Sequence, residues 1–300
     1  MIYTDIKKGK KMVTQYKKYD PEDLKKLQKD IVTVLKSFDA LCEKYDITYF
    51  AAGGTQLGAI RHQGFIPWDD DMDLGMLYSD YEKFLKIPDD EFKEYGLYAP
   101  EKNPGDFYSF VTKYYYRDSS FSSAIVTAEG KDNMGIFVEV FPYYNVPLDN
   151  RILNKMRRKI TVIKAFYTVS VCDKIIVYEK GLSGKLKYLV KSTVKLMTKI
   201  FRLTPEKLAR RYDEILTAYK DNETGYVVVA SDGFKIYKKS WLQNTTRVPF
   251  EDTTIPITSG YKQYMTKAYG PDYMTLPPES ERWNQAAEYI RFIDGTEMRG

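Results

Sequence analysis

Between residues 53 and 76 the chain sets a glycine pair, Gly53-Gly54, ahead of four carboxylates in five positions, Asp69-Asp70-Asp71-Met72-Asp73. Like charges at that density repel one another, and a folded chain keeps them together mainly when a cation sits among them. The fold must therefore carry this acidic run on a rigid scaffold, and the function is expected there.

Asp71 to Met76 reads as a strand, with Asp71 and Asp73 on one face and Met72 and Leu74 turned into the core. Two such carboxylates, about 7 Å apart along a strand, can converge on one or two divalent ions. Mg²⁺ suits them, because it prefers one or two carboxylates plus waters and substrate phosphates; Mn²⁺ is the expected substitute. The run from Trp68 to Asp73 lacks the ligand spacing and the sixth-position glycine of an EF-hand loop. Asp69 shares parity with Asp71 and Asp73 but follows Pro67-Trp68, which places it in a turn, and Asp70 is expected to face away. A third carboxylate is expected from a neighbouring strand. Glu139 is the candidate, since an acid in the otherwise apolar Ile136–Phe141 strand, ended by Pro142, is costly unless paired or metal-bound. Gly53 and Gly54, following a strand, allow backbone N–H groups to approach a phosphate, and Thr55 adds a hydroxyl or caps the next helix.

Around this centre the chain alternates strand and helix signals, which argues an α/β or α+β fold with a mixed sheet. Asp20 is the expected cap of a helix with Pro21 in its first position and an apolar stripe of Leu24, Leu27, Ile31, Leu35, Phe38 and Leu41, ending near Tyr45. Ile47 to Ala51 reads as a short strand and Gln56 to His62 as a short helix. Residues 107–127 are aromatic and β-branched. Short strands are expected around Val227–Val229 and Ile255–Ile257, and a helix over Tyr261–Tyr269. The parts divide as a mobile basic arm (1–20), a catalytic core (21–150), a basic helical insertion (151–225) and a C-terminal part packed on the core (226–300).

Residues 151–220 hold 18 Lys and Arg against 5 Asp and Glu, a net of +13 in a chain of net +5, so the remainder is about −8. Such a block suggests an anionic partner. Within it, Leu186 to Phe201 reads as a helix with Leu186, Leu189, Val190, Val194, Met197, Ile200 and Phe201 on one side and Lys187, Lys191, Lys195 and Lys199 on the other. It reads either as a helix lying on an anionic bilayer, with Lys174, Lys180, Arg202, Arg210 and Arg211 nearby, or as an ordinary amphipathic helix with a solvated lysine face. No run of 18 apolar residues is present, and the lysine-rich start lacks the apolar stretch of a secretory signal. Two cysteines, Cys42 and Cys172, fit a reducing compartment and cannot build a zinc site with one histidine. A cytoplasmic location, peripheral on the inner face of the membrane, is the expectation.

The glycine pair joined to Asp-x-Asp resembles the signature of the nucleotidyltransferase superfamily, with its DNA polymerase beta-like mixed-sheet core and, here, added helices. The longer spacer, Gly53-Gly54-Thr55-x-Leu57-Gly58-Ala59-Ile60-Arg61-His62-x-Gly64-Phe65-Ile66-Pro67-Trp68-Asp69-Asp70-Asp71-x-Asp73, closely resembles the core motif of the LicD-type phosphotransferases. Asp80-Tyr81-Glu82-Lys83-Phe84, Val138-Glu139-Val140-Phe141-Pro142 and Tyr269-Gly270-Pro271-Asp272-Tyr273-Met274-Thr275-Leu276-Pro277-Pro278 are similar to three further family segments. The likeness spans roughly residues 20–285 and is weakest over 150–225. Glu139 stands where the family usually has Asp. After Pro278 the family often continues to Arg and then histidines; here Arg282 is followed by Trp283-Asn284-Gln285.

The resemblance implies Mg²⁺-dependent transfer, with two ions, of a phospho-alcohol to a sugar hydroxyl of a surface glycan such as teichoic acid, capsule or lipopolysaccharide precursor, free or lipid-linked. The favoured donor is CDP-choline, releasing CMP, and no nucleic acid is expected as partner. It implies Asp71 and Asp73 as metal ligands and Glu139 as third ligand or base for the acceptor hydroxyl. It also implies Gly53, Gly54 and Thr55 as holders of the donor diphosphate, with Lys113 and Arg117 as further phosphate ligands. Arg61 serves phosphate or bridges to an aspartate, and Trp68 stacks on the base, faces a quaternary ammonium, or buttresses the aspartate strand. His62, the single histidine, is read as structural. Two rivals remain: a true nucleotidyltransferase releasing pyrophosphate, whose basic block would bind nucleic acid, and a non-catalytic membrane scaffold.

Overall fold

A computed structural model describes residues 19–123, 134–172, 175, 177, 181–231, 233–282, 284–285 and 287–299. The expected arm over residues 1–20 falls, up to residue 18, outside them, as do Lys174, Lys180 and Trp283. The first helix, α1 (Pro21–Lys44), begins where the sequence places it: the Asp20 carboxylate accepts the Glu22 N–H, Pro21 follows the cap, and Tyr45 closes the last turn. Its Leu27, Ile31, Leu35, Phe38 and Leu41 are buried against the sheet.

The sheet is mixed and seven-stranded. Its path is β1 (Phe50–Ala51), β2 (Asp73–Leu77), β6 (Phe137–Val146), β4 (Thr112–Tyr116) and β3 (Tyr95–Tyr98), with β7 (Tyr226–Val229) on β6 and β8 (Lys235–Lys238) on β7. β2 and β6 run parallel; the other pairs are antiparallel. β5 (Ser120–Ser123) joins β11 (Ala287–Arg291) and β12 (Glu297–Arg299) in a three-stranded sheet, and β9 (Thr245–Phe250) pairs β10 (Thr253–Thr258) as a hairpin.

Period two sorts the central strands. Leu74, Met76, Val138 and Val140 are buried in one cluster with α1, so Asp73 and Glu139, of opposite parity, belong to the other face. Farther along that face Phe50, Tyr143, Tyr237 and Tyr264 close a second apolar cluster. Helix α2 (Gly53–His62) enters directly from β1, and α3 (Tyr78–Leu85) follows β2. The basic block forms α4 (Asn150–Val171), α5 (Gly181–Ile200) and α6 (Pro205–Leu216); α4 and α6 share a third core with Tyr144 and Val146. Helix α7 (Tyr261–Tyr269) has the bounds read from the sequence.

Four expectations on bounds are corrected. The strand read over 47–51 pairs at Phe50–Ala51 alone. The helix expected from Gln56 begins at Gly53, so the glycines form its first turn. The aspartate strand begins at Asp73 rather than Asp71. β6 runs through Pro142 to Val146; pairing with β4 stops at Val140 and pairing with β7 starts at Tyr144, which leaves a gap where a residue without an N–H is tolerated. Among the described residues, no helix is long and apolar enough to cross a membrane.

Candidate functional site

The site grows from a row of three side chains across the sheet. Asp73 on β2 is in register with Glu139 on β6, and Glu139 with Lys113 on β4. The buried Lys113 ammonium donates to Glu139 Oε1 at 2.6 Å and lies over the Phe137 ring. Glu139 thus stands where a neighbouring strand was expected to bring it. Lys113, expected as a phosphate ligand, is paired with Glu139 instead.

The segment ahead of β2 adds three more carboxyls. Oxygens of Asp69, Asp70 and Asp71 all come within 4.8 Å of one another, and among the described residues this is the one acidic trio so placed. Strand parity does not sort these residues, because the strand has not yet begun. That is why Asp70, expected to face away, is instead buried beside its neighbours. Tyr19 donates its hydroxyl to Asp70 Oδ2 at 2.6 Å and the Gln285 N–H donates to Oδ1 at 2.7 Å. The Gln285 side-chain amide donates to Asp71 Oδ2 at 2.7 Å, and Gln28 to the Asp69 carbonyl at 2.9 Å. Ala287 N–H in turn donates to the Tyr19 hydroxyl at 2.5 Å. Both oxygens of Asp70 are therefore engaged by donors that fix the loop. Asp69 and Asp71 are left beside Asp73 and Glu139.

The α2 helix start meets the carboxylates at van der Waals distance. Gly53 has φ +50°, and a Cβ there would lie 2.6 Å from Asp73 Oδ2; one at Gly54 would lie 3.0 Å from Asp69 Oδ2. The glycines thus make room for the acids, as well as exposing a helix N-terminus to them. Gly53 N–H donates to the Tyr264 hydroxyl at 3.2 Å, itself bonded to Tyr143 at 2.9 Å. The N–H groups of Gly54 and Thr55 lie in the first turn, where a helix supplies no carbonyl for them. Thr55 is buried, and its hydroxyl oxygen accepts the Asp73 N–H at 2.8 Å, which locks α2 to β2.

Electrostatics describe what this set lacks. Burial, then Asp71, Asp70 and Asp73, push the Asp69 carboxyl well above the ordinary range. Asp70 is pushed up to about 7 by burial and Asp71, against donors from Tyr19 and Gln285. Burial and Glu139 raise Asp71, opposed by Gln285 and Lys113. Carboxyls that hold protons this firmly mark a pocket short of positive charge, and an all-oxygen set at these spacings fits a hard divalent cation. Oxygens of Asp69, Asp70 and Asp71 lie close enough together to share such an ion, and Asp73 and Glu139 sit in register on the adjoining strands.

Three other expected site residues are engaged elsewhere. The Arg61 guanidinium donates to the Tyr273 and Thr275 carbonyls at 3.1 and 3.3 Å and, through Nε, to His62 Nε2 at 2.9 Å. It fastens the end of α2 to the C-terminal segment, which corrects the expectation of a phosphate or aspartate contact. Burial and the Arg61 charge lower the pKa of His62. Arg117 lies four residues beyond Lys113, about 13 Å along β4, and lines a surface groove with Asp89, Lys102 and Tyr115. Trp68 is half-buried and carries the Arg282 guanidinium 4.4 Å above its ring.

Sequence reasoning missed Tyr19, Tyr264 and Gln285, and named Asp69 and Asp70 without placing them in the site. Gln285→Ala removes the side-chain donor to Asp71 and leaves the backbone bond to Asp70. Loss of such a supporting partner is expected to weaken divalent-cation binding by about 10–100-fold, read by calorimetric titration; an unchanged affinity would show that Asp71 needs no orienting bond.

Residues 46–165 match the family described as LicD/FKTN/FKRP, nucleotidyltransferase domain. The chain is 28% identical over 265 residues to the lipopolysaccharide cholinephosphotransferase LicD of Haemophilus influenzae, covering 86% of this chain and 94% of that protein. An uncharacterized protein of Rickettsia typhi is 39% identical over 82 residues, 27% of this chain and 26% of its own length. One of Rickettsia prowazekii is 42% identical over 66 residues, 22% and 24%. The carboxylate row, its lysine and the glycine turn all lie within residues 46–165, the part of the chain that matches the LicD/FKTN/FKRP nucleotidyltransferase domain.

Proposed function

We propose that the protein is a phosphotransferase that moves phosphocholine, or a related phospho-alcohol, from a CDP-alcohol to a sugar hydroxyl of a surface glycan. The observation that carries this is a set of five carboxyls, Asp70 buried and the others half-buried, with Lys113 on Glu139, facing the start of α2. The family match and the phosphocholine and lipopolysaccharide in the name of the Haemophilus relative supply the chemical class. On this reading the core is nucleotidyltransferase-like, and the acceptor is lipopolysaccharide, teichoic acid or capsule precursor.

Bound among Asp69, Asp71 and Asp73, Mg²⁺ would neutralise the donor diphosphate and the charge that develops on the leaving group. The chain's own parts follow from their positions. Gly54 and Thr55 N–H groups receive a diphosphate oxygen at the positive end of α2. Glu139, oriented by Lys113, accepts the acceptor hydroxyl proton. The hydroxyl oxygen bonds to the phosphorus that carries choline as that phosphorus parts from the bridging oxygen, and CMP leaves with the bond electrons. Gln285, Tyr19 and Thr55 hold the carboxylates in place.

Incubation with Mg²⁺, CDP-choline and a glycan acceptor, read by chromatography, should yield CMP, and Asp73→Ala should remove it. Pyrophosphate from a nucleoside triphosphate, with no CMP from any CDP-alcohol, would make the protein a nucleotidyltransferase instead.

A further inference from the structure

Helix α5 is built the wrong way round for a helix of a water-soluble surface. Its sequence separates lysines from apolar residues, and a helix so divided ordinarily buries the apolar side. Here the buried positions of α5 are Gly184 and Thr198. The Lys195 ammonium turns inward and donates to the Cys172 carbonyl at the end of α4, at 2.9 Å. The apolar side is presented outward: Leu182 is 85% exposed, and Leu186, Leu189, Leu196, Ile200 and Phe201 are 57–63% exposed. An outward strip of that length marks an interaction surface.

The charge around the strip selects what covers it. Residues 181–200 contain five lysines and no Asp or Glu. Lys185 and Lys199 flank the apolar strip, are exposed, and are followed by exposed Arg202. The block that carries them has a net charge of +13. A second copy would bring two such blocks together, so self-association through this face is opposed by its own charge. The helix, with five lysines in 20 residues, is not apolar enough to cross a bilayer. Its composition is that of a helix lying in an interface, with leucines and phenylalanine below and lysines reaching up to lipid phosphates.

We infer that α5 seats the protein on an anionic phospholipid surface, with the Leu182–Phe201 strip in the acyl boundary and Lys185, Lys199 and Arg202 on the headgroup phosphates. This rests on the exposed strip and the charge around it, apart from the reaction proposed above. It adds to the reaction proposed above the place where a lipid-linked acceptor would be met.

The test sediments the full chain with phosphatidylcholine vesicles, with and without phosphatidylglycerol. The protein is expected to pellet with the anionic vesicles, to stay in solution with the neutral ones, and to be released by high salt. Each of Lys185→Gln and Lys199→Gln should lower partitioning about fivefold at low salt. Leu189→Glu should abolish pelleting without changing the circular-dichroism melt or CMP release with a soluble acceptor. No pelleting with anionic vesicles, or equal pelleting by Leu189→Glu, would overturn the inference. So would a dimer in light scattering that Leu189→Glu splits, since a second copy would then cover the face. Failure here leaves CMP release intact, and failure of the transferase assay leaves vesicle binding intact, so the two readings fall separately.

Discussion

Asp71→Asn is expected to lower transfer by roughly 10³-fold, about 4 kcal/mol of transition-state stabilisation, while leaving the metal-free protein more stable than before. The opposite signs follow from one cause. Asp71 lies within 4.8 Å of Asp69 and Asp70, accepts from Gln285, and faces Glu139. Asparagine keeps its shape and removes one charge from a site short of cations. The cation then loses a ligand, and the remaining carboxyls lose a repulsive neighbour. The pH dependence carries the same signature. An aspartate in an unfolded chain titrates near 3.8, and burial and Asp71 push Asp70 up to about 7 in this fold, so the folded state binds the extra proton between those values. Stability of the metal-free protein should therefore fall as pH rises from about 4 to about 7. A divalent cation should reverse the fall, and Asp71→Asn should lessen it, because burial still raises Asp70 while the charge that adds most to that effect is gone. Thermal melts across that range, with and without Mg²⁺, check each part. A metal-free protein that gains stability with pH would show that these acids are already compensated.

Gly53→Ala is the second large effect, and here activity should fall far more than stability. The φ of +50° costs a non-glycine residue about 1–2 kcal/mol, a few degrees in Tm for a chain of this size. The added Cβ meets Asp73 Oδ2 at 2.6 Å. Asp73 cannot retreat freely, since its N–H is held by Thr55 and its carbonyl accepts the Ala52 N–H at 2.9 Å. The carboxylate must turn away, and displacement of a reacting-centre group by about 1 Å costs on the order of 10²-fold in rate. Gly54→Ala, with no positive φ and a milder 3.0 Å approach to Asp69, should cost less on both counts. Equal losses of rate in the two variants would mean that Asp73 is not the group being displaced.

Much of this site can be read in the sequence because its physics is local or periodic. Four acids in five positions, a glycine pair after a short strand, and one acid inside an apolar strand each violate a rule that an ordinary core obeys, and period two then places Glu139 and Asp73 on one face. The residues that hold the acids in place are of another kind. Gln285 lies 214 positions from Asp71, Tyr264 lies 211 from Gly53, and Tyr19 lies 51 from Asp70. A lone glutamine or tyrosine carries no local mark of such a partner; the fold alone brings it near. Arg61 illustrates the converse, since a cation beside a phosphate-binding turn invites a phosphate role, and only the path of the C-terminal segment shows that two carbonyls take it. Helix α5 shows the limit of periodicity: the pattern divides lysines from leucines but does not say which side meets the protein.

Two labels in one donor report which phosphorus is attacked. CDP-choline carrying ¹⁴C in the choline methyls and ³H in the cytosine is incubated with the protein, Mg²⁺ and a glycan acceptor, and the glycan is separated from free nucleotide. The expected result is ¹⁴C in the glycan and ³H in free CMP, both lost in Asp71→Asn. Tritium in the glycan, with phosphocholine released, would place the attack on the other phosphorus and contradict it.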